Sequence, residues 1–369
     1  MSASIGRRAA LALIGGAAAT PLLARARAPD ARLARLARGF SLPDRVPAEG
    51  RKAPDRAILG WLRGRGMTHV RLPVRGESVM ARFSSPAAIA AAIADLRAAL
   101  DLLLGLGFAV TIDMHPGDDF GRLHRADPEA ALEALREGWR RLSGPIRGLP
   151  ADRVFAELLN EPQTDDAIWR MQAESLAQDL RALLPATTFI VGPAPYQRVE
   201  ALAAWRPLDD RNIVYAFHYY DPMAFTHQGL TWDAADPLSR LGGVPFPARR
   251  DDAAVIGLLE RLRTGGDADL ARSIERALDR PWAKETIAAQ FAPLATWSRR
   301  HDAPVIVNEF GALRFKAAPG ARRAWLEAVR EAAEDNQFGW AHWEYDQGFG
   351  MLDETGRPDP GVIHALLPG

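Results

Sequence analysis

Leu158-Leu159-Asn160-Glu161-Pro162 and Val307-Asn308-Glu309-Phe310-Gly311 decide how this chain is read. In each, a carboxylate follows an apolar, strand-like run, 153–159 in the first case and 304–307 in the second. In each, a chain breaker or turn residue comes next. A carboxylate so placed sits at the C-terminal lip of a buried strand. In an eight-stranded parallel barrel that lip is the floor of the site. Two glutamates brought there from two different strands meet the requirement for acid/base cleavage of a glycosidic bond.

Outward from these stretches, strand-like and helix-like runs alternate. A short first strand falls near 38–42, and a helix over 55–65 is bounded by Pro54, Gly64 and Gly66. Strands then follow over 68–74, 108–113, 153–159, 187–191, 212–218, 304–308 and 338–343. Helices fall between them over 86–104, 128–141, 165–184, 199–204, 283–300 and 321–333, and 363–367 closes the barrel base. Gly105-Leu106-Gly107 precedes a strand, so it reads as a helix C-cap and not as a nucleotide loop. Residues 219 to about 280 are too irregular and too long for an ordinary connection. They read as an insertion after the sixth strand that builds one wall of a cleft. The expected fold is α/β: a single (β/α)8 TIM barrel over 29–369 with a long insertion after strand 6. The competing open, doubly wound sheet calls for a Gly-rich phosphate loop after the first strand, and the sequence has none there. No second domain, tandem repeat or appended binding module is legible.

Composition narrows the function. Among 369 residues, Lys+Arg and Asp+Glu both number 46, which gives no support to nucleic-acid or anionic-membrane binding. The absence of cysteine removes disulfides, thiolate catalysis and cysteine metal sites. Arg7-Arg8, the small apolar run 9–19 and the Ala26-Arg27-Ala28 site read as an export signal over 1–28. The arginine pair suggests the twin-arginine route. The rest of that pattern is missing, which leaves the ordinary secretory route open. The expected location is periplasmic or extracellular, and the expected state is a monomer.

Eight polar or aromatic residues fall on strand ends or just beyond: Arg71, His115, Asn160, Glu161, His218, Tyr220, Glu309 and Trp343. His218 and Tyr220 are two apart and point to one side of an extended chain. In this order, Arg, His, Asn-Glu-Pro, His-x-Tyr, Glu-Phe-Gly and Trp, the chain resembles the family-5 glycoside hydrolases, cellulase-like retaining (β/α)8 barrels. The resemblance runs from Arg71 to Trp343. It implies that Glu161 is the acid/base and Glu309 the nucleophile, with no cofactor. It further implies that Asn160 holds the 2-hydroxyl at the cleavage point, and that Arg71 and Tyr220 contact Glu309. His218 would lie near Glu161, His115 would touch the same sugar, and Trp343 would form its floor.

Physical chemistry bears on the same roles. A nucleophile must be ionised, and Arg71 supplies a fixed positive charge and a forked donor. An acid must keep its proton, and Glu161 roughly 5 Å from an ionised Glu309 is expected to do so through like-charge repulsion. Esterification of Glu309 removes that repulsion, and Glu161 then serves as base. Glu157 is expected to be buried or paired in the barrel, and Glu344 to reach a substrate hydroxyl or be solvated. Asp113, His115, Asp118, Asp119 and His124 hold ligand-type groups, but no second His stands at metal-ligand spacing on one element. No metal is therefore expected. Asp118 and Asp119 are assigned to the cleft lining. Trp232, Phe225 and His227, with Gln228, are assigned to a substrate-binding wall in the sixth loop.

The expected activity is cleavage of β-linked glucan chains, of the endo-β-1,4-glucanase type, through a covalent glycosyl-enzyme. β-Mannanase, β-1,3-glucanase and exo-β-glucosidase are alternatives on the same barrel, and transglycosylation uses the same residues. A non-catalytic carbohydrate-binding barrel is the distant alternative.

Overall fold

The structure, a computed structural model, describes residues 27–50 and 53–368. Of the expected export signal, only Arg27 and Ala28 fall within the described residues. Eight strands form a closed parallel barrel in sequence order. They are β1 (Arg38–Ser41), β2 (His69–Arg75), β3 (Ala109–His115), β4 (Val154–Glu157), β5 (Thr188–Val191), β6 (Ile213–Tyr219), β7 (Val305–Phe310) and β8 (Gly339–His342). Closure comes from β1 against β8, with Arg38 opposite Trp340 and Phe40 opposite His342. Among the described residues, no helix is long and apolar enough to cross a membrane.

The helix Pro86–Gly105 shows how local sequence sets the elements. Ser85 caps it by accepting from the Ala88 amide, and Pro86 occupies its first turn. Ile89, Ala92, Leu96, Leu100 and Leu103 are buried at helical spacing. Gly107 ends it at φ +87°, where the Gly107 and Phe108 amides bond back to the Leu104 and Leu103 carbonyls.

The strands sort their side chains by the two-residue period. On β3, Val110, Ile112 and Met114 enter the large core between strands and helices. Thr111, Asp113 and His115 alternate with them and face the barrel axis. Below the site the axis is filled by Ala109, Phe155, Ile190, Val214, Ala216 and Ile306. That apolar plug makes the charged layer above it a lid on a packed core, not the lining of a pore.

A bulge lies at the functional end of β7. Phe217 pairs with Val307, but His218 pairs with Glu309, so Asn308 is the extra residue. A bulge re-aims side chains that strict alternation would send to opposite faces. Asn308 and Glu309 both therefore turn toward the axis. Gly311 follows where a Cβ would stand 2.2 Å from the Trp343 carbonyl oxygen, so only glycine lets the two strand ends approach.

Between β6 and the helix Lys284–His301, the long insertion carries a short helix at Met223–Thr226 and two longer ones, Ala253–Thr264 and Ala268–Ala277. Its first part is pinned to the barrel. Trp325 Nε1 donates to the Asp221 carbonyl at 3.0 Å, and the Leu313 amide donates to the Thr226 carbonyl at 2.8 Å.

Candidate active site

The centre is Arg71, fully buried on β2. Its Nη1 donates to Glu309 Oε2 at 2.7 Å, and its Nε donates to Glu157 Oε2 at 2.8 Å. Its Nη2 lies 2.9 Å from Asp113 Oδ2 and donates to Asn160 Oδ1 at 2.8 Å. One guanidinium thus ties three carboxylates from β3, β4 and β7. Burial alone would lower its pKa, but Asp113, Glu157 and Glu309 together drive it well above the ordinary arginine value. Asn308 completes the layer by donating from Nδ2 to Glu157 Oε1 at 2.7 Å.

Above this layer stand the two glutamates. Carboxylate oxygens of Glu161 and Glu309 and a ring nitrogen of His218 all lie within 4.8 Å of one another. That spacing suits a pair acting directly on the two sides of one anomeric carbon, and it leaves no room for an intervening water. Glu309 accepts from a protein donor on each oxygen: Arg71 on Oε2, and the Tyr220 hydroxyl on Oε1 at 2.7 Å. Tyr220 stays a phenol, because burial first and Glu309 second raise its pKa well above 10. Those donors also argue against reading Glu161, His218 and Glu309 as metal ligands.

Glu161 follows β4 on a backbone held open by its neighbours. The Asn160 amide bonds the Met114 carbonyl, and Glu161 itself has φ +42°. Its amide donates to Gln197 Oε1 at 2.8 Å, while the Gln197 carbonyl accepts from the His218 amide at 2.8 Å. Gln197, fully buried, thereby holds the acid and its histidine in one frame. His218 Nδ1 lies 2.9 Å from Glu161 Oε1.

The pKa of Glu161 is raised, and burial is the largest cause. Among nearby carboxylates, Glu157 adds to the rise, while His115 and Arg71 oppose it. The expectation that repulsion from Glu309 dominates is therefore corrected: desolvation by the cleft walls does most of the work. His218 is pushed down to about 4, chiefly by burial, so it is a neutral imidazole beside the acid.

His115 behaves oppositely. Burial lowers its pKa, but Asp113, 2.8 Å from Nδ1, more than offsets this and raises it. Its ring stacks on Trp343 at 5.6 Å with planes 12° apart. Asn160, its Oδ1 committed to Arg71, has Nδ2 3.4 Å from His115 Nε2. The amide is thus oriented with its donor side toward the space over Trp343.

His115, Glu161, His218, Tyr220, Glu309 and Trp343 line a cleft of about 810 Å³ that also includes Tyr196, Arg198, Met223, Phe315, Glu344 and Phe349. Of the proposed wall, Trp232 and His227 line it. His227 packs edge-on to Tyr220 at 5.0 Å and to Trp232 at 5.9 Å. Phe225 does not reach it: it is fully buried against Phe246 and Trp325. The apolar helix-to-barrel space beneath the loop captures it. Gln228 is likewise buried, bonded to the Phe225 and Val244 carbonyls. Asp118 and Asp119 are also corrected. They sit exposed in the first turn of the helix Asp118–Ala126, away from the cleft, where carboxylates complement the helix dipole. His124 is buried against Gln172 at 2.8 Å, so the ligand-type groups near β3 do not converge.

Glu344 is neither solvated nor free. It is buried, its oxygens accept from the Asp346 and Gln347 amides at 2.8 Å, and burial pushes its pKa up to about 7. Asp113, Asn308 and Gln197 were not singled out as partners from the sequence. Asp113 at the end of β3 shares the two-residue period of His115, which is the one signal that marks it.

Endoglucanase 3 of Fibrobacter succinogenes is 28% identical over 270 residues, which are 70% of this chain and 39% of that protein. Endoglucanase H of Acetivibrio thermocellus is 24% identical over 319 residues, 82% of this chain and 29% of that protein. The chain thus spans well under half the length of these curated relatives. Among solved structures, endoglucanase Cel5A from Thermotoga maritima superposes with a TM-score of 0.73 at 22% identity, covering 92% of this chain and 99% of that one. The cellulose synthase subunit Z (CcsZ) from Clostridioides difficile superposes at 0.71 and 21% identity, covering 90% of this chain and 99% of that one. These two likenesses establish the barrel. The model of the cellulase family, glycosyl hydrolase family 5, matches residues 37–347, and the chain belongs to that family.

Proposed function

We propose that the chain is a retaining β-glycosidase of the endo-β-1,4-glucanase type. The observation that carries this reading is the pair Glu161 and Glu309, within 4.8 Å across an open cleft. Glu309, oriented by Arg71 and Tyr220, attacks the anomeric carbon. The bond to the leaving oxygen breaks as Glu161 gives that oxygen its proton. Glu161 then takes a proton from water, whose oxygen displaces Glu309 and releases the sugar with its configuration kept. Asn160 and His115 present donors to hydroxyls of the sugar above Trp343, and bonds that tighten in the oxocarbenium-like state favour the transition state.

Cleavage within a chain is supported by a cleft that continues on both sides of the pair. Tyr196 and Arg198 line it beyond Glu161, and Gln347 lines it beyond Trp343. A β-1,4 glucan is supported by the names of relatives such as Endoglucanase 3, Endoglucanase H and Cellodextrinase A. A second reading, β-mannan, is favoured by the Thermotoga maritima Cel5A described in complex with mannotriose. We also propose export, on the strength of Arg7-Arg8 and the apolar run behind it. Cell fractionation tests that directly.

The deciding experiment is product analysis on carboxymethyl cellulose, mannan, mixed-linkage glucan and laminarin, with the anomer of the first product followed by NMR. Internal cuts in β-1,4 glucan with a β-configured first product are expected. An α-configured first product would end the retaining reading, and a preference for laminarin would end the linkage assignment. Glu309→Gln should abolish turnover while oligosaccharide binding persists. A variant with unchanged function would instead mark a binding barrel.

A further inference from the structure

Beyond Trp343, on the side away from Glu161, the cleft divides. One arm, about 290 Å³, continues along His115 and Trp343 and is walled by Asp44, Arg75 and Gly117. The other, about 540 Å³, opens past Phe315 between Asp55, Arg314 and the 352–356 turn. Gln347 lines the main cleft and both arms. It is firmly held there. Its amide donates to Glu344, its carbonyl accepts from Arg314, and its Nε2 donates to Asp44 Oδ2 at 2.9 Å. Beside it, Arg45 Nη2 reaches Asp346 Oδ2 at 2.8 Å. These two ties bridge the loop after β1 to the loop after β8, and the bridge separates the arms.

We propose that Gln347 is a specificity-determining residue at a fork, and that the site takes a β-1,4-linked chain carrying a neutral side-chain sugar. This rests on the glycosidase reading above. The main chain follows the stacked His115–Trp343 floor into the smaller arm, because that floor is continuous with the cleavage point. The side sugar enters the larger arm, where Phe315, 45% exposed, offers a flat apolar face at the mouth. The groups around that arm select for neutrality. Asp55, Asp353 and Glu354 line it, Asp346 there is paired with Arg45, and the donors of its lining cation, Arg314, are engaged by the Leu352 and Gln347 carbonyls. A uronate side group would meet like charge, whereas a neutral sugar offers hydroxyl donors to those carboxylates.

The test compares kcat/KM on an unbranched β-1,4-gluco-oligosaccharide with kcat/KM on the same chain bearing single neutral sugars on 6-hydroxyls. A uronate-bearing analogue is the third substrate, and mass spectrometry locates each cut. The neutral branched chain should be cut with the branch on the glycone side of the scissile bond, at least as well as the linear chain. The uronate analogue should be cut on the order of tenfold less well. Glu354→Trp, which fills the larger arm far from the catalytic pair, should lower the branched rate on the order of tenfold and leave the linear rate unchanged. Gln347→Ala should blur the discrimination between branched and linear chains. Cleavage of linear chains with branched ones rejected, or equal losses on both in Glu354→Trp, would overturn the fork and spare the glycosidase reading. No cleavage of any of these chains would overturn both.

Discussion

His218 Nδ1 lies 2.9 Å from Glu161 Oε1 and 3.9 Å from Glu309 Oε1, so one neutral imidazole flanks both carboxylates. With its pKa pushed down to about 4, it brings no charge that would strip Glu161 of its proton. It touches the acid without neutralising either member. The acid and the nucleophile keep different environments: Arg71 and Tyr220 donate to Glu309, while Glu161 has the neutral His218 beside it and opens to the cleft.

The first prediction concerns pH. Glu161 must carry a proton to protonate the leaving oxygen, and burial raises its pKa above the ordinary glutamate value. Activity is lost as pH rises through that raised value, so the alkaline limb of kcat/KM should lie above the usual carboxylate range. Glu161→Gln should abolish this limb. It should also cost about 10²–10⁴ on unactivated oligosaccharides and far less on aryl glycosides whose leaving group needs no proton. A pH profile of the variant with the limb intact would assign it to another group.

The second concerns Arg71. Replacing it by Met leaves Asp113, Glu157 and Glu309 facing one another, all nearly or fully buried. Breaking a buried ion-pair network from one side costs on the order of 3–5 kcal/mol, so thermal unfolding should shift down by several degrees. Arg71→Lys keeps a charge, but a single ammonium cannot span three carboxylates and Asn160 as the fork does. It should recover most of the stability and little of the activity. Lysine restoring full kcat/KM would show that charge alone suffices.

Much of this was legible from the chain, for a physical reason. The lip of a barrel strand is a local feature: an apolar run, then a polar residue, then a breaker. That marked Glu161, Glu309, Arg71, His115, His218, Tyr220 and Trp343 without knowledge of their neighbours. What meets what across the axis depends on barrel closure and on the bulge at Asn308, and neither is written in any local pattern. Hence the Glu157–Asn308 bond and the Gln197 frame came only with the structure. Loop aromatics failed in the other direction. Phe225 and Trp232 are alike in sequence context, yet one is buried under the insertion and the other is exposed on the cleft. Packing beneath the loop decides which is which.

The third prediction concerns Trp232, 61% exposed on the cleft wall and tilted against Phe349 at 6.2 Å. A side chain so exposed contributes little to folding, so Trp232→Ala should leave unfolding unchanged within about 0.5 kcal/mol. Loss of a sugar-stacking face should raise KM for long oligosaccharides on the order of fivefold to tenfold, about 1 kcal/mol. Short substrates that do not reach it should be unaffected. An unchanged dependence on chain length would remove it from the binding wall.

The fourth turns on Glu344. In the folded protein its carboxyl titrates at about 7, against an ordinary 4.5, because burial outweighs the two amides it accepts from. Between these values the folded state holds a proton that the unfolded state has released. Stability contributed by this group is therefore complete below about pH 4.5 and is lost as pH rises toward 7. The full change is on the order of 3 kcal/mol, from the size of the shift. Glu344→Gln removes the titration while keeping an acceptor for the Asp346 and Gln347 amides. Chemical denaturation at pH 5 and at pH 7.5 should show the parent losing stability across that interval and the variant losing less, with the difference at most that large. Parallel behaviour of the two proteins would mean that Glu344 is ionised throughout, held by its amides and not by its burial.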